Sequence, residues 1–431
     1  MIWEPEHERM DRPALRRLQL ERLRTVAARV YARLPFYREM FAARGLHPDA
    51  ITSLDDLAQL PCTTKSDLRR LYPFGLLAVA PEEPVELHCS SGTTGSSTLV
   101  GYTRADLNTW AEVMARTLAA GGVRPGDLMH NAYGYGLFTG GLGFHYGALR
   151  LGARILPIST GNTTRQVRLL CELGATVLAC TPSYALHLAE VAAEEGVGPL
   201  ALRVGLLGAE PWSEGMRAEI QRRLGITAVD VYGLSEIIGP GVSCECVEGS
   251  AGLHINEDHF LPEVVDPSSG EPLPDGTKGE LVLTTLTKEA TPALRFRTGD
   301  ITALNYEPCA CGRTLVRMAR VCGRVDDMLI VRGVNVFPCD VEAVLTSIPE
   351  LQPHYQLIVD RRRAMDVLEV QVEARAWLPE GAHAQLSARV SGVIRERLGL
   401  GAQVTVLPPK QLPRSEGKAL RVLDRRQLQE A

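Results

Sequence analysis

Ala175-Thr176-Val177-Leu178-Ala179-Cys180-Thr181-Pro182 is an apolar run that stops at a hydroxyl and a proline. Its length and β-branched content predict a buried strand. Thr181 is a good N-cap and Pro182 suits the first turn of a helix, so a strand-to-helix junction is expected there. The signature recurs on both sides. Ala153-Arg-Ile-Leu-Pro-Ile-Ser159, Val204-Gly-Leu-Leu207 and Ala228-Val-Asp-Val231 read as further strands, with amphipathic segments between them. Such alternation predicts a layered α/β domain over residues 87–233. Upstream, Leu23, Val26, Val30 and Leu34 recur at helical spacing, and Pro35 ends that helix.

Downstream the pattern changes. Glu280-Leu-Val-Leu-Thr-Thr285 reads as a strand near the turn-rich segments Asp266-Pro-Ser-Ser-Gly270 and Pro274-Asp-Gly276, which predicts a β-rich subdomain over 261–304. A boundary is expected near Gly323-Arg324-Val325-Asp326-Asp327. Beyond it, apolar segments at 357–359, 367–372 and 404–407 and an amphipathic helix at 384–398 predict a compact α+β unit. The fold class expected is therefore α/β, with a large N-terminal domain (1–325) of layered sheets and a small C-terminal domain (326–431).

Composition removes several classes. With 431 residues, 45% hydrophobic and 23% charged, the chain can bury a large core and is neither collagen, coiled coil nor disordered. Its 51 acidic and 46 basic residues leave a net charge of −5, which argues against a nucleic-acid partner. No apolar stretch approaches the roughly 20 residues that span a bilayer. Residues 1–10 (MIWEPEHERM) are acidic and offer no apolar signal region. The ten cysteines are thus expected as reduced thiols or metal ligands in a cytoplasmic protein.

Five segments carry chemistry. Cys89-Ser90-Ser91-Gly92-Thr93-Thr94-Gly95-Ser96-Ser97 is a loop of small side chains whose backbone N–H groups and hydroxyls could wrap a polyphosphate. It lacks the Gly-Lys-[Ser/Thr] of a Walker loop and the G-x-G-x-x-G of a dinucleotide site. Val231-Tyr232-Gly233-Leu234-Ser235-Glu236 puts an aromatic, a hydroxyl and a carboxylate just after a strand end, where open α/β sheets bind ligands. Tyr232 could stack on a base, and Glu236 could hold Mg2+ beside phosphates. In Arg297-Thr298-Gly299-Asp300, the carboxylate can accept from two ribose hydroxyls. Gly323–Asp327 opens the tail, and Arg414-Ser415-Glu416-Gly417-Lys418 offers a lysine able to swing a charge onto a phosphate.

In this order and spacing, the segments resemble the adenylate-forming superfamily of acyl-CoA synthetases, luciferases and adenylation domains, and most closely the phenylacetate–CoA ligase family. The likeness runs through 89–102 (CSSGTTGSSTLVGY), 132–142 (AYGYGLFTGGL), 208–212 (GAEPW), 232–242 (YGLSEIIGPGV), 257–260 (EDHF), 284–289 (TTLTKE), 323–338 (GRVDDMLIVRGVNVFP) and 412–418 (LPRSEGK). The resemblance implies ATP-dependent activation of an aryl carboxylic acid to an acyl-adenylate, then transfer to coenzyme A, with a C-terminal domain that swings between the two steps. It implies that Ser90, Ser91, Gly92, Thr93, Thr94 and Gly95 bind the phosphates, with Thr93, Glu236 and Lys418 the catalytic group. Gly208, Ala209, Glu210, Tyr232 and Gly233 would surround adenine, Asp300 and Arg324 would hold the ribose, and Asp326 would be the hinge. The acyl pocket would include Tyr135, Phe138, Gly140, Gly141 and Pro240, with the glycines leaving room for a flat ring. Relatives usually carry a lysine where Ser96 stands, so the loop has lost one cation. A variant of the same chemistry passes the acyl group to an amine, a hydroxyl or a carrier-protein thiol. Homodimers are common in the resembled family. A nucleotide-binding protein without ligase activity is the contrasting class, favoured only by Ser96.

Six of the ten cysteines fall between positions 244 and 339. Cys246, His254, Cys309 and Cys311 form a candidate structural Zn2+ set, with Cys244 able to replace one of them.

Overall fold

The computed structural model describes residues 1–431 apart from 90–97, 322, 333, 363–364, 380 and 427–431. At its centre is a nine-stranded sheet. One half is parallel, running Arg154–Leu156, Leu128–Asn131, Val177–Cys180, Val204–Gly208 and Thr227–Leu234. The other half is antiparallel and continues through Gly239–Cys246, Gly249–Ile255, Arg317–Met318 and Leu304–Asn305.

The central parallel strands Val177–Cys180 and Val204–Gly208 are apolar and buried at every position because both faces are covered. Val177, Ala179, Val204, Leu206, Val229 and Val231 face one core, which contains Trp110, Met114 and Phe144 from helices Arg104–Ala120 and Thr139–Leu151. The alternate residues Leu178, Cys180, Leu207 and Ala228 face a second core, built with helices Pro182–Glu194 and Glu214–Leu224. Side chains alternate faces with a period of two, so one short run of sequence seeds both cores. The first two helices pack closely: a Cβ on Gly147 would stand 2.5 Å from that of Met114.

The junction expected at Thr181-Pro182 is present. Thr181 caps the helix by accepting from the Tyr184 amide at 3.3 Å, with Pro182 in the first turn. The helix predicted around Leu23–Leu34 covers Arg12–Arg33, capped by Asp11, and a new helix begins at Pro35. The strand expected over 153–159 is shorter, Arg154–Leu156. Pro157 has no N–H to donate, and Ser159 adopts φ +67°. The β-rich region forms a three-stranded antiparallel sheet of Phe260–Val265, Gly279–Thr285 and Phe296–Thr302.

Among the described residues, a third apolar cluster contains none before Leu329. It lies between a four-stranded sheet, ordered Gln403–Leu407, Met365–Ala374, Leu351–Arg362 and Val422–Asp424, and helices Pro338–Thr346 and Ala382–Leu398. These residues form the small α+β unit expected from the sequence.

Trp110 is fully buried, stacks on Tyr102 with centroids 5.0 Å apart, and donates its indole N–H to Pro240 O at 2.9 Å. Trp110→Ala is expected to remove about 3–5 kcal/mol, read as a large fall in the thermal midpoint.

Candidate active site

The carboxyl ends of the parallel strands open into one cavity of about 660 Å3. Tyr133 follows Leu128–Asn131, Thr181 follows Val177–Cys180, Ala209 follows Val204–Gly208, and Gly233 and Leu234 end the next strand; all line the cavity. This is where an open α/β sheet leaves its strand ends unobstructed. The apolar wall consists of Tyr133, Tyr135, Phe138, Gly140, Phe144 and Pro240. Tyr133 stacks on Phe144 at 4.9 Å. The Tyr135 hydroxyl accepts from Asn131 Nδ2 at 2.7 Å and meets His145 Nδ1 at 3.2 Å.

Gly141 differs from the expectation. It does not line the cavity, and a Cβ there would stand 2.6 Å from Gly134 O. Its bare Cα serves close backbone packing behind the wall rather than space for a ring.

A smaller, connected recess of about 110 Å3 includes Ala209, Glu210, Tyr232, Gly233, Asp300 and Arg324. Tyr232 Oη donates to Asp300 Oδ2 at 2.7 Å, and Arg324 Nη1 donates to Asp300 Oδ1 at 2.7 Å. Burial raises the Asp300 carboxyl, and Arg324 opposes that rise. Arg324 Nε also donates to Asp326 at 3.0 Å. Gly208 permits the close strand approach beneath this recess, since a Cβ would stand 2.0 Å from Val231 O. Ala209 then turns at φ +70°.

Lys418 lines both recesses. The backbone on either side of it is pinned. Thr181 Oγ1 donates to Gly417 O at 3.0 Å, and the Ala419 N–H donates to Glu210 Oε2 at 2.8 Å. Glu210 also accepts from the Ser183 amide at 2.7 Å and from the Ser183 hydroxyl.

Glu236 is 6% exposed. Its Oε1 lies 3.2 Å from Lys65 Nζ and, among the described residues, accepts no hydrogen bond. Sequence reasoning gave Lys65 no role. The capping box of Thr64 and Asp67 marks a helix start there, but nothing local signals an approach to Glu236. Lys288, within the TTLTKE segment, was also missed. It donates to Ile237 O at 2.6 Å and sits 4.6 Å above the Tyr102 ring, whose hydroxyl donates to Ile238 O at 3.0 Å. Together they clamp the turn that follows Glu236. The loop residues Ser90, Ser91, Gly92, Thr93, Thr94, Gly95 and Ser96 lie outside the described residues.

Away from the cavity, Cys246, His254, Cys309 and Cys311 bring their ligand atoms within 4.8 Å of one another. Cys246 Sγ lies 3.7 Å from Cys309 Sγ, and Cys311 Sγ lies 3.5 Å from His254 Nε2. Tetrahedral Zn2+ with Zn–S of about 2.3 Å sets adjacent sulfurs about 3.8 Å apart. The donor set and spacing therefore fit that ion. His254 Nδ1 faces Leu315 O at 3.4 Å, which turns Nε2 toward the thiols. Cys244 is not part of the cluster; its Sγ faces Thr117 O.

The AMP-binding enzyme profile matches residues 15–286, and the AMP-binding enzyme C-terminal domain profile matches 333–426. The chain is 53% identical to the phenylacetate-coenzyme A ligase of Thermus thermophilus, covering 99% of this chain and 100% of that one. It is 49% identical to the phenylacetate-coenzyme A ligase of Escherichia coli, covering 96% and 95%. The chain belongs to the phenylacetate–CoA ligase family of AMP-binding enzymes. The ligase superposes on 2-hydroxyisobutyryl-CoA ligase in its postadenylation state with a TM-score of 0.91, at 30% identity, over 99% of this chain and 93% of that one. Against the same protein in its thioesterification state the score is 0.73, at 31% identity, over 100% and 95%. The two units of this ligase thus have the relative arrangement of the first state. Among its described residues, no helix is long and apolar enough to cross a membrane.

Burial lowers Lys288 to about 7 from its ordinary 10.5, with Asp106 and Glu236 opposing the shift. Between those values the unfolded chain holds a proton that the folded ligase has released, so stability rises with pH across the window. Compared with Lys288→Met, the wild type should gain thermal midpoint as pH rises from about 7 toward 10, and the difference should be flat below about 6.

Proposed function

We propose that this ligase activates phenylacetate, or a closely related aryl acid, with ATP and transfers the acyl group to coenzyme A. In the first half-reaction a carboxylate oxygen bonds to the α-phosphorus, and the bond to pyrophosphate breaks. In the second, the thiol sulfur of coenzyme A bonds to the acyl carbon, the thiol proton is lost, and AMP leaves.

Triphosphate and carboxylate repel each other, so the site must supply positive charge where they meet. Lys418 would supply it at the junction of the two recesses. Lys65 would add a second cation beside Glu236. Asp300, oriented by Tyr232 and Arg324, would accept from the ribose hydroxyls. The wall of Tyr133, Tyr135 and Phe138 suits the faces of an aryl ring. The buried Glu236 carboxylate, whose Oε1 is paired with Lys65, would hold Mg2+, which when bound would screen the phosphate charge. The thiol and imidazole cluster would hold a structural Zn2+, because four protein ligands leave no open position for substrate.

The observation that supports this most is the doubly pinned backbone around Lys418, at the mouth shared by the polar and apolar recesses. Holding a charge at the reacting atoms in advance is how such a site lowers the barrier. Lys418→Ala should cut phenylacetate-dependent pyrophosphate exchange by ~100-fold or more. It should leave thioester formation from supplied phenylacetyl-adenylate largely intact. Absence of exchange with any aryl acid in the wild type would sink the proposal. Elemental analysis of the purified ligase should find about one zinc per chain, falling sharply in Cys309→Ser.

A further inference from the structure

We infer that Glu190 is a positioning residue for the adenylation half-reaction: it holds the small C-terminal unit, through Arg414, in the orientation that presents Lys418. The inference rests on the ligase reading above.

Glu190 lies on helix Pro182–Glu194, the helix whose cap, Thr181, also binds Gly417 O. Its side chain is 13% exposed and faces arginine and histidine side chains from both units. From the small unit, His354 Nε2 lies 2.7 Å away and Arg414 Nε 2.8 Å away. From its own unit, Arg223 Nη1 stands at 3.5 Å and His187 Nδ1 at 3.9 Å. Arg414 is four positions before Lys418. Its guanidinium also donates to Glu373, at 2.9 Å to each carboxylate oxygen, to Leu412 O at 2.9 Å and to Glu190 Oε1 at 3.4 Å, and Glu373 is itself fully buried. One planar fork therefore bridges a carboxylate of each unit, a geometry that arginine supports and lysine does not.

The two carboxylates differ in what a rotation does to them. Glu373 moves with Arg414, so the small unit keeps its internal pair in any orientation. Glu190 stays behind with the large unit. The Glu190 contact is thus specific to the arrangement shared with the postadenylation state. Because Arg414 retains Glu373, undocking leaves no unpaired buried guanidinium, and the pair can open and reform in each cycle. Other contacts across the same seam agree in direction. Glu342 accepts from the Ser213 amide at 2.7 Å, and Arg375 lies 2.9 Å from Glu219. Neither of these leads into the segment that carries Lys418.

Hydrogen bonds between charged groups contribute enough for their loss to shift an orientational equilibrium by ~10- to 100-fold. The test uses full-length Glu190→Gln and Arg414→Lys, each checked against the wild-type thermal midpoint. Single-turnover formation of phenylacetyl-adenylate from phenylacetate and MgATP is compared with thioester formation from supplied phenylacetyl-adenylate and coenzyme A. Glu190→Gln should slow the first by ~10- to 100-fold and leave the second unchanged or faster. Arg414→Lys keeps the charge without the fork and should show the same split at smaller size. If Glu190→Gln does not fold, the Arg414→Lys split decides alone. Equal losses in both half-reactions, an unchanged adenylation rate, or a larger loss in thioester formation overturns the inference. A wild type that forms no adenylate overturns the ligase reading instead.

Discussion

The bond from the Ala419 N–H to Glu210 is the point on which the site turns. A lysine on a free segment would explore many rotamers and deliver its charge poorly. Here the backbone before and after Lys418 is fixed to the large unit, while among the described residues no hydrogen bond ties down its side chain. The anchors are hydrogen bonds rather than apolar packing. They can be exchanged for water at modest cost, as undocking of the small unit would require. The same few polar contacts would then serve both positioning and release.

That arrangement depends on a rigid sheet beneath it. Period-two alternation feeds two cores from the same strands, so Leu206 and Leu207 hold opposite layers while their strand delivers Gly208 and Ala209 to the rim. The rim tolerates little change: a side chain at Gly208 would meet Val231 O, and Ala209 already carries left-handed backbone. Thr181 and Ala209 stand one position beyond the buried strands that place them.

Much of this was readable in the chain. Strand–helix alternation and the Thr181-Pro182 cap follow local rules and appear where those rules put them, and the four candidate Cys and His ligands cluster in space. Motif order brought Tyr232, Asp300, Arg324 and Lys418 to one place. What escaped was long-range. Lys65 meets Glu236 and Arg414 meets Glu190 across the fold, the latter 224 residues apart, with no periodicity linking them. Gly141 was read as open space because a glycine's neighbours are invisible in sequence; here the neighbour is the Gly134 backbone.

The two margins of the nine-stranded sheet are also informative. One ends in the three-residue strand Arg154–Leu156, cut off by Pro157, and the other in the two-residue strand Leu304–Asn305. Cys309 and Cys311, in the loop that follows the second margin, fold back onto Cys246 and His254 of the strands inside it. Short borders present few unpaired N–H and C=O groups to a stranger's strand. A broad and largely apolar sheet is thereby hemmed on both sides, which guards the newly made chain against edge-to-edge aggregation.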